Sequence, residues 1–314
     1  AGGFLRPESL PKIKRPIVWT LHDMWAFSGG CHYDDECGRL RDSCGSCPLL
    51  GSKVDRDLSR KVWQRKYEAY ARLPIVVVST SKWLGDVARS SSVFRNKRIE
   101  VIPNNVDIER YKPISKQVAR EAWNLPQDKK LVLFSAFSAT ADKRKGHQFL
   151  LPAIERLAAK GLARDIELVI IGASEPPKGT PDIGLKTHYV GRLSDEISQV
   201  LLYSAADLLV APSTQENLSN TVMESMSCGT PVVAFNIGGM PDMIDHMETG
   251  YLAKAFDPTD LADGIEWVLE RSKTSNEIGA RARDVVCKRY TADRVAQMNL
   301  DLYEDILKNR DRGI

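Results

Sequence analysis

Residues 206–239, ADLLVAPSTQENLSNTVMESMSCGTPVVAFNIGG, admit few backbone arrangements. The apolar run Leu208-Leu209-Val210-Ala211, stopped by Pro212, has the pattern of a strand buried on both faces of a parallel sheet. A polar loop follows, and Thr221-x-x-Glu224 has the form of a capping box opening a helix. That helix is expected to end at Cys228-Gly229, with Pro231 as a stop signal. A second buried strand, 232–235, leads into Asn236-Ile237-Gly238-Gly239. This is one strand–loop–helix–strand–loop unit of a doubly wound sheet, whose binding edge lies at the carboxyl ends of the strands.

Glu216 stands in the loop of that unit and Glu224 stands eight residues later. Between them lie Asn217, Leu218, Ser219, Asn220 and Thr221, whose backbone N–H groups at a helix start attract phosphate. Two carboxylates beside a phosphate seat cannot both hold phosphate, because like charges repel. They suit hydroxyls, to which an ionised carboxylate is a strong acceptor. Phosphate plus polyol points to a nucleotide sugar. The plainer alternative is that Glu224 only caps the helix and Glu216 is a solvated loop charge.

The run PSTQENLSNTVMESMSCGTPVVAFNIGGMPDMI resembles the donor-binding segment of the family-4 retaining glycosyltransferases, with Glu216 and Glu224 matching the family's Glu-x7-Glu. The resemblance implies a GT-B fold: two Rossmann-like doubly wound domains facing across a cleft. It further implies that Glu216 binds donor-sugar hydroxyls, that Glu224 binds the nucleotide ribose, and that the backbone of 217–221 holds sugar and diphosphate. Lys145-Gly146 matches the family's diphosphate-contacting Lys-Gly pair. The family's usual Arg earlier in that loop is missing, and Arg144 is its substitute. Gly191, Arg192 and Leu193 are implied near the nucleotide base, and His22 near the transferred sugar. Catalysis then rests on Lys145, Glu216 and His22, with His22 not as general base.

The 314 residues exceed the ~250–300 at which single cores split. An amino-terminal acceptor-side domain is expected over 1–113, with a cysteine-rich insertion at 29–50. A nucleotide-sugar-binding domain is expected over 114–290, and 291–314 is expected to cross back as a helix. Only three strands are expected before residue 113, against about six in a full doubly wound domain. Relative to the family, the opening strands and the glycine-rich acceptor-side loop are missing, so the first domain is expected to be incomplete. A formal charge of +3 is too small to argue for nucleic acid. No stretch approaches ~18 continuous apolar residues, so no transmembrane helix is expected. Residues 1–4 lack the form of a secretory signal. The expectation is a cytoplasmic protein, with peripheral contact at the inner membrane face as a further expectation from basic clusters at 12–15 and 95–98.

Four of the six cysteines, Cys31, Cys37, Cys44 and Cys47, fall within seventeen residues. Without a secretory signal, such clustering favours metal over disulfide. A structural zinc with four thiolates is the leading expectation. Reduced or disulfide-paired structural cysteines and an iron–sulfur centre stay open. Asp34-Asp35-Glu36 reads as a solvated loop rather than an acidic metal motif. The neighbourhood TLHDMWAFSGGCHY resembles a polysaccharide-synthesis subgroup of the family.

The resemblance implies a retaining hexosyltransferase that moves sugar from a nucleotide-diphosphate sugar, with uridine as the expected base. The acceptor is expected to be a saccharide or lipid-linked oligosaccharide for cell-envelope or extracellular polysaccharide, and no cofactor is required for transfer. A nucleotide-sugar 2-epimerase and a non-catalytic nucleotide-sugar-binding module are the alternatives.

Overall fold

A computed structural model describes residues 6–135, 142–173, 184–272 and 277–311. The chain divides into two compact units, one of residues 1–104 with 295–314, the other of residues 105–294.

In the first unit, β1 (Ile17–Leu21), β2 (Ile75–Ser79) and β3 (Arg98–Val101) form a parallel sheet in the order β1-β2-β3. Helix α1 (Leu58–Tyr70) starts where the Asp57 carboxylate accepts from the Arg60 N–H, and α2 (Lys82–Ser90) starts where the Ser81 hydroxyl accepts from the Leu84 N–H. Each cap satisfies a donor the first turn leaves without an intrahelical partner. One face of the sheet buries Leu21, Phe27, Tyr70, Val77, Leu84 and Phe94. Against Val78 and Ile102 pack Val295 and Leu302 of the last helix, Ala292–Asp311.

The second unit is built on β4 (Lys130–Ser135), β5 (Ile166–Ile171), β6 (Thr187–Gly191), β7 (Leu208–Ala211), β8 (Val232–Phe235) and β9 (Gly250–Ala253). All pair in parallel, in the order β6-β5-β4-β7-β8-β9. Counted from β4 this is 3-2-1-4-5-6, the doubly wound order, in which winding reverses between the first and fourth strands. The helices are α3 (Lys116–Ala122), α4 (His147–Ala159), α5 (Glu196–Ala205), α6 (Asn220–Ser227), α7 (Met240–Met243), α8 (Pro258–Arg271) and α9 (Glu277–Arg289). Two separate apolar layers follow. Side chains of α3, α5, α6 and α9 join one, and side chains of α4 and α8 join the other. β5 is buried at every position, as the run IELVII requires between two helical layers.

Asp207, just before β7, is the polar anchor at the amino end of the strands. It accepts from Arg120 at 2.8 Å, Lys116 at 2.9 Å and the Leu131 N–H at 2.7 Å. Burial opposes its charge, yet Lys116, the Leu131 amide and Arg120 together hold its carboxyl below the ordinary value.

Residues 105–113 belong to the second unit, where the Val106 N–H donates to the Tyr290 carbonyl at 2.9 Å. The loop before Arg144 and Lys145 falls partly on residues 136–141, and a helical pattern that the sequence begins at Asn276 opens on a residue beside the ninth helix. Both lie outside the described residues. Among the described residues no helix is long and apolar enough to cross a membrane.

Candidate functional site

Reversal of winding between β4 and β7 opens a crevice above their carboxyl ends, and three loops meet there. The β4–α4 loop carries Arg144, Lys145 and Gly146 in a 3-10 turn capped by Asp142. The β7–α6 loop carries residues 212–219. The β8–α7 loop carries Gly238 and Gly239. The Thr214 N–H donates to the Arg144 carbonyl at 2.8 Å and the Gly239 N–H to the Glu216 carbonyl at 3.1 Å. The middle loop is thus clamped from both sides.

Both clamps demand glycine. Gly146 has φ +76, and a Cβ there would lie 1.7 Å from the Pro212 carbonyl oxygen. Gly238 has φ +52, and a Cβ would lie 2.0 Å from the Glu216 carbonyl oxygen. No side chain fits either approach, and the left-handed backbone disfavours one as well.

The clamp brings together residues seventy-one apart in sequence. Lys145 Nζ donates to Glu216 Oε2 at 2.7 Å, with both side chains largely withdrawn from solvent. Gln215, Glu216, Asn217 and Leu218 are buried, Ser219 and Thr221 are half-buried, and Asn220 is exposed. The half-buried Arg144 guanidinium donates to Asp142 at 2.9 Å. Asp142 was not singled out from the sequence, although it stands only two residues away.

Helix α6 departs from the expected capping box. Its N-cap is Ser219, whose hydroxyl accepts from the Val222 N–H at 3.4 Å. Glu224 therefore falls within the helix, and its carboxylate turns sideways to α5, where the Tyr203 hydroxyl donates to Oε2 at 3.0 Å. Burial pushes the Glu224 carboxyl up, and the Tyr203 hydroxyl restrains that rise. Sequence spacing carries no sign of Tyr203, because the contact joins two different helices.

Gly191 closes β6 with φ +74, and its carbonyl accepts from the Gly172 N–H at 2.7 Å. Arg192 is exposed, and Leu193 packs against the apolar layer of α5 and α6. His22 lies in the first unit, exposed, one residue beyond β1.

Cys31, Cys37, Cys44 and Cys47 also lie in the first unit. All are reduced and half-buried, and they line one cavity of about 630 Å³ with Trp25, Lys66 and others. Burial pushes the Cys31, Cys37 and Cys44 thiols up, Cys44 to about 11. Among the described residues no group of three or more His, Cys, Asp or Glu side chains is placed to hold a metal ion. The zinc expectation thus draws no support from the side-chain arrangement. Asp34 is no solvated charge: it is buried, and its carboxylate accepts from the N–H groups of Glu36 and Gly38.

A lysine, two carboxylates and a clamped loop at one strand edge can hold a ligand that is anionic at one point and hydroxylated at others. Residues 115–285, more than half of the chain, match the family model described as glycosyl transferases group 1. The chain is 28% identical over 307 residues to a D-inositol 3-phosphate glycosyltransferase of Corynebacterium glutamicum, covering 93% of this chain and 70% of the relative. It is 25% identical to an N-acetyl-alpha-D-glucosaminyl L-malate synthase of Bacillus anthracis, covering 69% and 56%. Across eight such curated relatives the chain spans 50–70% of their length. Among solved structures, sucrose-phosphate synthase from Thermosynechococcus elongatus superposes with a TM-score of 0.72 at 22% identity, covering 96% of this chain and 70% of the other. Anabaena HepE in complex with UDP superposes with 0.69 at 20%, covering 95% and 74%. The fold is that of GT-B glycosyltransferases.

Proposed function

The chain belongs to the group 1 glycosyl transferases, and we propose that it moves a hexose from a uridine-diphosphate sugar to a saccharide acceptor with retention at the anomeric carbon. The observation that carries this reading is the Lys145–Glu216 pair at the β4–β7 crevice, with Glu224 on the neighbouring helix. In the free protein Lys145 and Glu216 neutralise each other. A donor would separate their tasks: its diphosphate takes the ammonium and its sugar hydroxyls take the Glu216 carboxylate. The ribose hydroxyls are assigned to Glu224, and the base to the backbone of 191–193. Structures of the similar HepE were determined with UDP and with UDP-glucose, which supports uridine as the base.

Transfer breaks the bond from the anomeric carbon to the diphosphate oxygen and forms one to an acceptor oxygen. Negative charge grows on the departing diphosphate, and groups already fixed around that position lower the barrier most. Lys145 and the amino terminus of α6, opened by Ser219, are the groups proposed to meet that charge. Arg144 joins them by leaving Asp142. His22 is proposed on the sugar side through family resemblance.

The finer assignment is to family 4, supported by the Glu216-x7-Glu224 run, and to synthesis of cell-envelope or extracellular polysaccharide, supported by the residues around the cysteines. The acceptor is then a saccharide or lipid-linked oligosaccharide, which would bring a cytoplasmic protein to the inner membrane face. A panel of nucleotides and nucleotide sugars, read first by thermal shift and then by release of free nucleotide with acceptor present, tests the reading. UDP-sugars should raise the melting midpoint and release UDP only when acceptor is added. Stabilisation by none of the nucleotides would overturn it.

A further inference from the structure

Tyr203, on the neighbouring helix α5, reaches Glu224 with its hydroxyl. Its ring is buried on α5, at 6.4 Å and a 47° tilt from Tyr111, and its carbonyl accepts from the Thr230 hydroxyl at 2.6 Å. Thr230 follows the end of α6, and its own carbonyl accepts from Ser225 within α6. Tyr203 is therefore fixed at its backbone, at its ring, and by the helix it serves. Its hydroxyl spans to Glu224 Oε2.

Resting on the reading of Glu224 as the ribose partner, we propose that Tyr203 is a positioning residue. It occupies one carboxylate oxygen of Glu224, fixes the rotamer, and leaves the other oxygen aimed as an ionised acceptor at a vicinal diol. The ligand class that this device selects is the ribonucleotide over the deoxyribonucleotide.

The need for such a device follows from the surroundings. Glu224 is half-buried, and burial disfavours its charge. From α5, Glu196 adds a like charge, although Arg110 pairs with Glu196. Among the described residues, Cys228 and Tyr111 also feel its charge and are both held protonated by burial, while Arg283 of α9 is committed to the Tyr111 and Ser227 carbonyls. The Tyr203 hydroxyl alone among these groups favours the ionised carboxylate. A protonated Glu224 would lose acceptor strength toward both ribose hydroxyls. Tyr203 itself is too buried to ionise, so it remains a donor across the accessible pH range.

The test is calorimetric titration of the full chain with UDP and with 2′-deoxy-UDP from pH 5 to 8, for the wild type, Tyr203→Phe, Glu224→Gln and the double variant. Tyr203→Phe keeps the buried ring and should weaken UDP about tenfold near pH 6, as expected for losing a hydrogen bond to a charged group. The midpoint below which UDP affinity falls should move to higher pH, because the carboxylate has lost its donor. In the Glu224→Gln background Tyr203→Phe should add nothing, and 2′-deoxy-UDP should respond less than UDP to either change. If Tyr203→Phe unfolds, 3-fluorotyrosine at position 203, of similar shape but a stronger donor, should move the midpoint to lower pH. A normal UDP affinity and an unmoved midpoint in Tyr203→Phe, with Glu224→Gln still weakened, would overturn the role of Tyr203 and leave the site reading intact. Full UDP affinity in Glu224→Gln would overturn both.

Discussion

The loop edge above β4 and β7 and the cysteine-rich segment of the first unit both concentrate reactive side chains, by opposite routes. At the strand edge, Lys145 and Glu216 are far apart in sequence, and parallel pairing of β4 with β7 forces them to 2.7 Å. In the cysteine segment, four thiols share seventeen residues of chain, yet no regular sheet or α-helix within 31–47 dictates where each sulfur points. One 3-10 turn, Arg39–Arg41, and left-handed residues, Asp35, Glu36, Cys44 and Ser46 among them, shape that loop. The sulfurs end up around a cavity wall. Strand register gathers side chains more strictly than closeness in sequence does.

The comparison is broken most directly at the pair itself. Lys145→Ala and Glu216→Ala should each lower turnover at least about a hundredfold, the scale of removing one charge-stabilising group, with far-UV circular dichroism unchanged. The double variant should lose less than the product of the two, since the side chains are partners. Near-normal rates in both single variants would remove the site assignment. Next in size is Gly238→Ala, whose Cβ meets the Glu216 carbonyl. We expect a loss of about 3 kcal/mol in urea unfolding, from combined clash and backbone strain.

The third probe is pH, aimed at the cysteine side. Lys66 is wholly buried, lies 4.0 Å over the Trp25 ring and donates to the Trp25 and Ser28 carbonyls. Burial brings its amine down from an ordinary 10.5 to about 8. Between these values the unfolded chain binds the proton that the folded chain has released, so the Lys66 contribution to stability should rise with pH from about 8 to about 10.5, against the opposite contribution of the raised thiols. Below about 8 the full cost of the buried charge remains. Lys66→Met should flatten the rise in urea midpoints over that window. The smallest effect is expected at Cys47, half-buried at the cavity rim. Cys47→Ser should change stability by less than about 1 kcal/mol. A loss of several kcal/mol, restored by added zinc, would show the four sulfurs acting together on a metal.

Much of the second unit was legible because its signals are local. The apolar run stopped by Pro212 and the run that follows Pro231 marked buried strands, and Lys145-Gly146 and Glu216 stood in the loops that follow strands. The details that escaped are those decided by packing. Ser219 rather than Thr221 caps α6, so the helix begins two residues earlier than the Thr221-x-x-Glu224 spacing suggests. Glu224 looked like a capping residue, and its partner on α5 became visible only once the two helices were adjacent. Asp142 captures Arg144 through a turn too short to show any periodicity. The reason for glycine at 146 and 238 exists only when three loops are stacked. In the first unit, Asp34 looked solvated within an acidic triplet, but the turn it closes buries it.

The opposed winding of β4 and β7 has a kinetic consequence. Helices α4 and α6 leave toward different faces of the sheet, yet each begins at the same rim, so two sets of aligned peptide dipoles direct their positive ends there. Even while Glu216 cancels the charge of Lys145, that rim should favour an approaching polyanion. Capture of a charged donor should therefore slow as ionic strength rises, more steeply than its dissociation changes.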